Sequence, residues 1–346
     1  MEIQVQHPPG EFVEIPLIDL GDGGPVALFE AFPDRAEALI EAGRQLIPQP
    51  AFGILESLSR RWARRTRNPY FDEIEAIAAR LPIGGWFLNL CFEWGCTTGV
   101  MADPAAGGTR ILRTLDWPFH GLGRKVVVAR QDAPAGEFYN VTWPAFVGVA
   151  TAMAPGRFAV ALNQAPLVRR GWWPLALDWT INRLKVYWRR ALPPAHLLRQ
   201  VVETCTDYER AKDMLVETPI ALPAMFTLSG AEYGQGCVIE RLERRAYVHE
   251  APAAIANHWL TAGLEGDPRG IDSHRRLRLM SGFCAGHVQD FDWLVAPITN
   301  QDTRLATVMN AARGTLRLQG WEASGPVTEI FDLAAAEAAR RGGAKT

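Results

Sequence analysis

Apolar and polar positions follow two periods along this chain, and each change of period marks a change of element. Residues 25–80 carry helical spacing. Within them Ile74, Ile77, Ala78 and Leu81 recur at i, i+3, i+4 and i+7, behind the acids Asp72 and Glu73 of a first turn. Pro82 and the Gly84-Gly85 pair stop that helix. Residues 86–92 are almost wholly apolar and read as a buried strand ending just short of Gly95. Short strands follow at 109–115, 124–129, 137–143, 147–153 and 157–163, separated by Gly, Pro and Asp. Residues 172–216 return to helix, with Pro193-Pro194 dividing two segments. Strands resume at 224–229, 237–241, 245–248 and 254–257. A helix then follows Asp272, a strand pair covers 304–318, and an Ala-rich helix closes at 333–341. This order predicts an α+β fold, two antiparallel sheets covered by helices.

Composition narrows the function classes more than the fold. The 346 residues are 48% hydrophobic and 21% charged, which suits one large packed domain or two modest ones. A net charge of −2 gives no reason to expect nucleic acid as a partner. No run of about 18 apolar residues is present, so no spanning helix is expected. The first residues show neither a basic nor an apolar signal region, and a cytoplasmic setting, with peripheral membrane contact as a further option, is the expectation. The five cysteines (91, 96, 205, 237 and 284) are widely spread, without CxxC pairs or histidines at ligand spacing. They predict neither a zinc site nor a disulfide framework, and no metal or organic cofactor is expected.

One cysteine has neighbours that carry chemistry. Cys96 follows Gly95 and precedes two threonines, Arg113 lies seventeen residues on, and Asp116 three further. A small residue before the thiol suits self-cleavage at Gly95–Cys96: the thiol attacks the preceding carbonyl, an N-to-S shift gives a thioester, and water releases the upstream segment. Glycine there would permit a strained peptide and close approach. The freed α-amine, with an ordinary pKa near 8, then serves as base to its own thiol. Taken singly, each residue has a plainer role. Cys96 would be one more buried thiol, Arg113 and Asp116 an ion pair on a strand, and Asn163 and Asn257 turn residues.

Taken together, the motifs resemble a known group. Tyr70-Phe-Asp-Glu-Ile-Glu-Ala-Ile-Ala78, the stretch 82–93, Cys96-Thr-Thr and Arg113-Thr-Leu-Asp116 are similar to the acid ceramidase and N-acylethanolamine acid amidase family. So are the Gly-rich stretch 146–163 ending in Asn163, Gly171-Trp-Trp, and Gly234-Gln-Gly-Cys-Val-Ile-Glu-Arg241. That family belongs to the choloylglycine hydrolase-like, N-terminal nucleophile enzymes, and the resemblance covers roughly residues 70–312. It implies a four-layer αββα sandwich, a helical pro-segment at 1–95 retained as a subunit, and a catalytic domain at 96–346 with an aromatic, basic helical insertion at 168–200. It implies Cys96 as nucleophile, Asp116 accepting from its amine, Arg113 lowering the thiol pKa and Asn257 donating to the oxyanion. Arg276, with Arg275 as its rival, would help to hold the site. The implied reaction is hydrolysis of a linear amide, most simply a fatty N-acyl amide such as an N-acylethanolamine or a ceramide-like lipid. Acyl transfer, a bile-salt or penicillin-type acylase, and an uncleaved lipid-binding or scaffold relative are the alternatives.

Three departures bear on the substrate more than on the chemistry. Cys-Thr-Thr stands where the acid amidases have Cys-Thr-Ser, Ala-Asn-His-Trp is a shorter motif than theirs, and Asp272-Ser-His-Arg-Arg replaces Asp-Asp-Arg-Arg. Residues 168–190 interleave Trp172, Trp173, Trp179 and Trp188 with six cations. They read either as a helix packing its rings on the core or as a lip touching a membrane surface. A shorter basic run lies at 60–67.

Overall fold

The computed structural model describes residues 12–44, 49–81, 84–90, 94–103, 105, 107–169, 174–286 and 288–343. A short strand, β1 (Leu17–Asp19), precedes five helices: α1 (Gly24–Ala31), α2 (Pro33–Arg44), α3 (Gln49–Arg65), α4 (Phe71–Ala78) and α5 (Gly85–Leu90). Then come β2 (Gly95–Ala102), β3 (Thr109–Asp116), β4 (Val127–Gln131), β5 (Phe138–Thr142), β6 (Thr151–Ala154) and β7 (Phe158–Gln164). Helices α6 (Leu175–Val186), α7 (Pro194–Thr204) and α8 (Tyr208–Glu217) separate these from β8 (Ala224–Gly230), β9 (Gly236–Arg241), β10 (Ala246–Glu250) and β11 (Ala253–Ile255). The chain ends with α9 (Ser273–Ala285), β12 (Thr303–Asn310), β13 (Thr315–Glu322), β14 (Gly325–Pro326), β15 (Phe331–Asp332) and α10 (Leu333–Gly343).

Two sheets form the centre. One runs β1-β4-β5-β6-β7-β8-β9-β10, antiparallel except that β1 lies parallel to β4. The other runs β11-β2-β3-β12-β13-β14, with β15 also paired to β13. They pack face to face, β2 and β3 against β7 and β8. Helices α7 and α8 cover the outer face of the first sheet, and α9 and α10 that of the second. The result is the αββα sandwich that the resemblance implies. The layering explains why β6, β7 and β8 are buried at every position. Strands covered on both faces need continuous apolar runs rather than alternation. On the second sheet, a Cβ at Gly99 would lie 2.5 Å from Cys284 Sγ and 2.8 Å from Met280 Sδ. Only glycine lets α9 come this close to the strand that carries Cys96.

The structure corrects the sequence reading in four places. Residues 85–90 form helix α5, not a strand; residues 91–93 lie outside the described set. An unbroken apolar run has no period to tell the two apart. Here the Asn89 side chain donates to Gly85 O, and Glu56 accepts from the backbone N–H groups of Gly84, Trp86 and Phe87. The strand expected over residues 86–92 is thus displaced downstream, and Cys96 lies inside β2. The helical stretch 172–216 is three helices, because Asp207 caps α8 by accepting from Arg210 N. The N-terminal segment is not wholly helical, since it supplies β1. Among the described residues no helix is long and apolar enough to cross a membrane.

The segment before Cys96 is tied to the rest of the molecule by buried polar contacts. Arg199 of α7 holds Glu73 of α4 and Glu203, and Tyr70 donates to Glu203 at 2.8 Å. Asn89 accepts from Val147 N and donates to Ala145 O. His196, fully buried on α7, receives the Asn68 amide at Nδ1, 2.8 Å away. That amide nitrogen can only donate, so Nδ1 must accept and the ring must be neutral. Burial, then Arg199, pushes the His196 pKa down to about 3. Below pH about 6.5 the unfolded chain takes up a proton that the folded one refuses, so stability falls with pH by up to about 1.4 kcal/mol per unit from this residue. His196→Gln keeps an acceptor for Asn68 but removes the titration. Urea unfolding between pH 7 and pH 5 should therefore show a shallower loss of stability in the variant than in the wild-type chain, and equal slopes would refute the assignment.

Candidate active site

The register of β2 assigns each chemical group of Cys96 its surroundings. In the β2–β3 ladder Cys96 pairs with Leu115, Thr98 with Arg113, and Gly95 with Asp116. Residues three apart on a strand face opposite sides of the sheet. Arg113 therefore shares the face of Cys96, as its diagonal neighbour, and its Nη2 lies 3.3 Å from Sγ. Asp116 faces α9 instead. The plain ion pair between Arg113 and Asp116 that Arg-x-x-Asp allows is thus not formed, because the spacing of three separates the two side chains. The thiol itself points between the sheets and donates to Leu162 O of β7 at 3.6 Å.

On its other edge β2 pairs with β11, Ala253 opposite Val100 and Ile255 opposite Thr98. Continued two residues, that register would place Asn257 opposite Cys96. The ladder has ended by then, and the Asn257 side chain takes its place. Its Oδ1 accepts from Cys96 N at 2.8 Å, and its Nδ2 donates to Gln164 O at 2.8 Å. A backbone N–H only donates and a carbonyl only accepts, so these two bonds fix which end of the amide is which.

The carbonyl of Cys96 is held by α9. Arg276 Nη1 donates to Cys96 O at 2.6 Å and to Thr97 Oγ1 at 2.8 Å. Its Nη2 reaches Asn257 Oδ1 (3.1 Å) and Arg269 O, and its Nε reaches Ile271 O. Asp116 Oδ2 lies 3.8 Å from the same guanidinium and accepts from Asn300, while Oδ1 accepts from Thr303. The helix starts there because Asp272 caps it, its side chain accepting from Arg275 N. Gly270, at φ +69°, supplies the turn before it, where a Cβ would sit 2.9 Å from Arg276 Nη2. Of the two candidate arginines, Arg276 is buried in this network and Arg275 faces solvent.

Electrostatics disfavour the thiolate. Burial raises the Cys96 thiol to about 11, with Arg113 and Arg276 opposing and Asp116 adding to the rise, so the sulfur is protonated at neutral pH. Burial likewise raises Asp116 against Arg276, Asn300 and Thr303, and lowers Arg113. Burial also raises Cys205, Cys237 and Cys284. Among the four described cysteines, only Cys96 accepts a hydrogen bond from a guanidinium.

Cys96, Arg113, Asp116, Asn257 and Arg276 are thus brought together, though two of them make contacts other than those expected. The N–H of Cys96 meets Asn257, not Asp116, and the Asn257 amide meets a backbone carbonyl. Gly95 is not strained. It pairs regularly with Asp116, and an added Cβ would meet ordinary contacts at 3.4 Å or more. Asn163 and Asn257 are both buried clamps; Asn163 lies within β7, and Asn257 in the turn after β11. Asn163 accepts from Thr98 at 2.6 Å and donates to Ala256 O at 3.2 Å, joining the two sheets. Of the aromatic insertion, Trp172 and Trp173 lie outside the described residues, and the Trp179 side chain does too. Trp188 is 81% exposed.

Several contributors carried no sequence signal. Thr303 and Asn300 meet Asp116 only because β12 pairs with β3, Thr303 opposite Asp116. Gln164 presents its carbonyl to Asn257 and its Oε1 to Trp94 N. Ser273 accepts from Asn257 N at 2.9 Å and pairs with His258 Nδ1 at 2.8 Å. The replacement of Asp by Ser in the Asp-Ser-His-Arg-Arg run was the one available hint. No group of three or more His, Cys, Asp or Glu side chains among the described residues is arranged to hold a metal ion.

Comparison with known proteins places the chain near the group its motifs resemble. It is 36% identical to human acid ceramidase over 194 residues, 50% of this chain and 47% of that one. It is 26% identical to the rabbit N-acylethanolamine-hydrolyzing acid amidase over 283 residues, 77% and 76% of the two chains. The chain spans about half the length of the acid ceramidases it matches. No family model matches. Among solved structures, a Caenorhabditis elegans N-acylethanolamine-hydrolyzing acid amidase ortholog superposes with a TM-score of 0.48 at 20% identity, covering 62% of this chain and 93% of that one. The chain is thus related in sequence to acid ceramidases and N-acylethanolamine-hydrolyzing acid amidases.

The geometry separates two residues that the sequence treats alike. Arg276→Leu leaves Asp116 without its cation in a buried site and should cost about 3–5 kcal/mol of unfolding free energy. Gly95→Ala should cost under about 1 kcal/mol, as an unstrained strand position does. Urea denaturation of both variants measures this, and an Arg276→Leu chain as stable as wild type would contradict the network.

Proposed function

We propose that this chain is an amide hydrolase whose nucleophile is the Cys96 thiol, released by cleavage of the Gly95–Cys96 bond. One observation carries the reading: the sulfur, the nitrogen and the carbonyl oxygen of a single residue each have a dedicated side-chain partner, Arg113, Asn257 and Arg276. A structural cysteine inside a strand needs none of these. The relatedness to proteins named acid ceramidase and N-acylethanolamine-hydrolyzing acid amidase supports the same chemistry.

In the first reaction Sγ adds to the Gly95 carbonyl carbon and the C–N bond to Cys96 breaks. The thiol proton passes to the new amine. Water then attacks the thioester, freeing the Gly95 carboxyl and restoring the thiol. Removal of Gly95 vacates the position opposite Asp116, so the α-amine gains that carboxylate as well as Asn257. In the second reaction the amine takes the thiol proton, Sγ attacks the substrate carbonyl, and the leaving nitrogen departs with that proton. Water again resolves the thioester, giving a carboxylic acid and an amine. Nδ2 of Asn257 has a second hydrogen beyond the one given to Gln164 O, and we assign that hydrogen to the oxyanion. Such a donor contributes about 3 kcal/mol. Opening of the site also removes the burial that holds the thiol at about 11, and Arg113 then favours the thiolate.

The buried contacts from Asn68, Glu73 and Asn89, together with β1, favour a pro-segment that stays attached after cleavage. The substrate expected from the relatives is a lipid-like N-acyl amide. Leu177, Leu184 and Trp188, exposed along and just beyond α6, fit a lip at a lipid surface.

Intact mass tests the reading. Wild-type protein should yield a fragment of residues 96–346 beginning with Cys96, co-eluting with residues 1–95. Cys96→Ala should stay whole and lose at least about a thousandfold in turnover of an N-acyl amide, the scale set by loss of a catalytic nucleophile. Turnover by an uncut Cys96→Ala chain would refute the mechanism.

A further inference from the structure

Asn257 is held by its backbone as well as by its side chain, and those backbone contacts involve residues to which neither reaction above gives a role. Strand β11 ends its pairing at Ile255, so the Asn257 N–H lies beyond the ladder. It donates instead to Ser273 Oγ at 2.9 Å, and Asn257 O accepts from Arg269 N at 3.1 Å. Ser273 is buried and opens α9, just past the Asp272 cap and three residues before Arg276. One helix thus has two grips on Asn257: Ser273 on the main-chain nitrogen and Arg276 on Oδ1. Glu240, also buried, accepts from Leu260 N and Thr261 N and anchors the residues that follow.

Hydrogen counting fixes the next contact. A backbone N–H can only donate, so Ser273 Oγ accepts from Asn257 and has one hydrogen left to give. His258 Nδ1 lies 2.8 Å from that oxygen. The hydrogen goes to Nδ1, which puts the ring proton on Nε2 and makes the ring neutral. The surroundings agree. The His258 ring is buried and tilted against that of His274, with centroids 3.9 Å apart. Burial, then His274 and Arg276, pushes its pKa down to about 4 against the opposing pull of Glu240. A charged ring would turn an N–H toward Ser273 and leave the hydroxyl hydrogen without this acceptor.

We propose that Ser273 and His258 are positioning residues: the neutral ring takes the Ser273 hydrogen, the hydroxyl oxygen is thereby turned to Asn257 N–H, and the Asn257 amide is fixed against Cys96. Neither side chain touches the reacting atoms. Their effect passes through Asn257, where a displacement of about 1 Å can cost roughly a hundredfold in rate. The proposal rests on the thiol-amidase reading for the oxyanion role of Asn257, while the hold on Cys96 N stands without that role.

Two measurements test it. The first needs no catalysis. In the full Cys96→Ala chain, nitrogen NMR of the histidine rings, with His258→Asn to identify the signal, should show a bare Nδ1 and a protonated Nε2 from about pH 6 to about pH 8. Adding Ser273→Ala should speed hydrogen exchange of the residue-96 amide about tenfold or more, as loss of a local hold does. Ser273→Thr, which keeps the hydroxyl, should restore slow exchange. A proton on Nδ1, or exchange at residue 96 unchanged by Ser273→Ala, overturns the proposal. The second measures turnover of a panel of N-acyl amides per cleaved chain. Ser273→Ala should lower kcat about tenfold or more and leave KM within about twofold, because an oxyanion exists only in the transition state. His258→Leu should do the same, whereas His258→Asn, whose Oδ1 falls near the place of Nδ1, should keep most of the activity. A raised KM at unchanged kcat, or equal losses from His258→Asn and His258→Leu, overturns the proposal. A wild-type chain that turns over nothing, alongside the expected exchange effect at residue 96, supports the positioning and counts against the thiol-amidase reading alone.

Discussion

The site depends on one buried guanidinium. Arg276 has no exposed surface, yet it touches four parts of the chain: the Cys96–Thr97 backbone and hydroxyl, the Asn257 amide, and the carbonyls of Arg269 and Ile271. Burying a cation is costly unless nearly every donor finds an acceptor. Here they do, with Asp116 close by to balance the charge. Because a guanidinium is planar and its donors are fixed in a fork, those acceptors are fixed relative to one another. Helix α9, strand β2 and the turn after β11 are held in one arrangement around it, which is the precision an attacking thiol requires.

Arg113 and Arg276 act on opposite faces of the second sheet. The inner one meets the sulfur, and the outer one meets the backbone that carries it. The separation lets one strand present a thiol to the intersheet space while its main chain is braced from the helical layer. Burial meanwhile keeps the thiol protonated. Reactivity and concealment come from the same surroundings.

Much of this was legible from residue order. The helical period over 70–81, most strand signals of the centre and the helix after Asp272 depend on local chemistry and appear near their expected places, while the strands expected at 124–129 and 147–153 begin only at Val127 and Thr151. Cys96, Arg113 and Asp116 were legible as a spaced motif. What failed depended on partners far along the chain. The apolar run that begins at Trp86 became helix α5 because Glu56, some thirty residues earlier, supplies acceptors for its first N–H groups. The Arg113–Asp116 pair dissolved once the register assigned the two to opposite faces. Thr303, Asn300 and Gln164 are ordinary residues in sequence, and only strand pairing gives them a place at the site.

Strand β1 has a consequence for the edge of the first sheet. It lies at the margin of the first sheet, parallel to β4, with Leu17, Ile18 and Asp19 opposite Val128, Ala129 and Arg130. It comes from the part of the chain upstream of Cys96. Without it, the edge of β4 would carry unpaired N–H and C=O groups beside Val127 and Val128, a template for joining another copy edge to edge. With β1 in place that edge stays covered: it is the selvedge of the sheet.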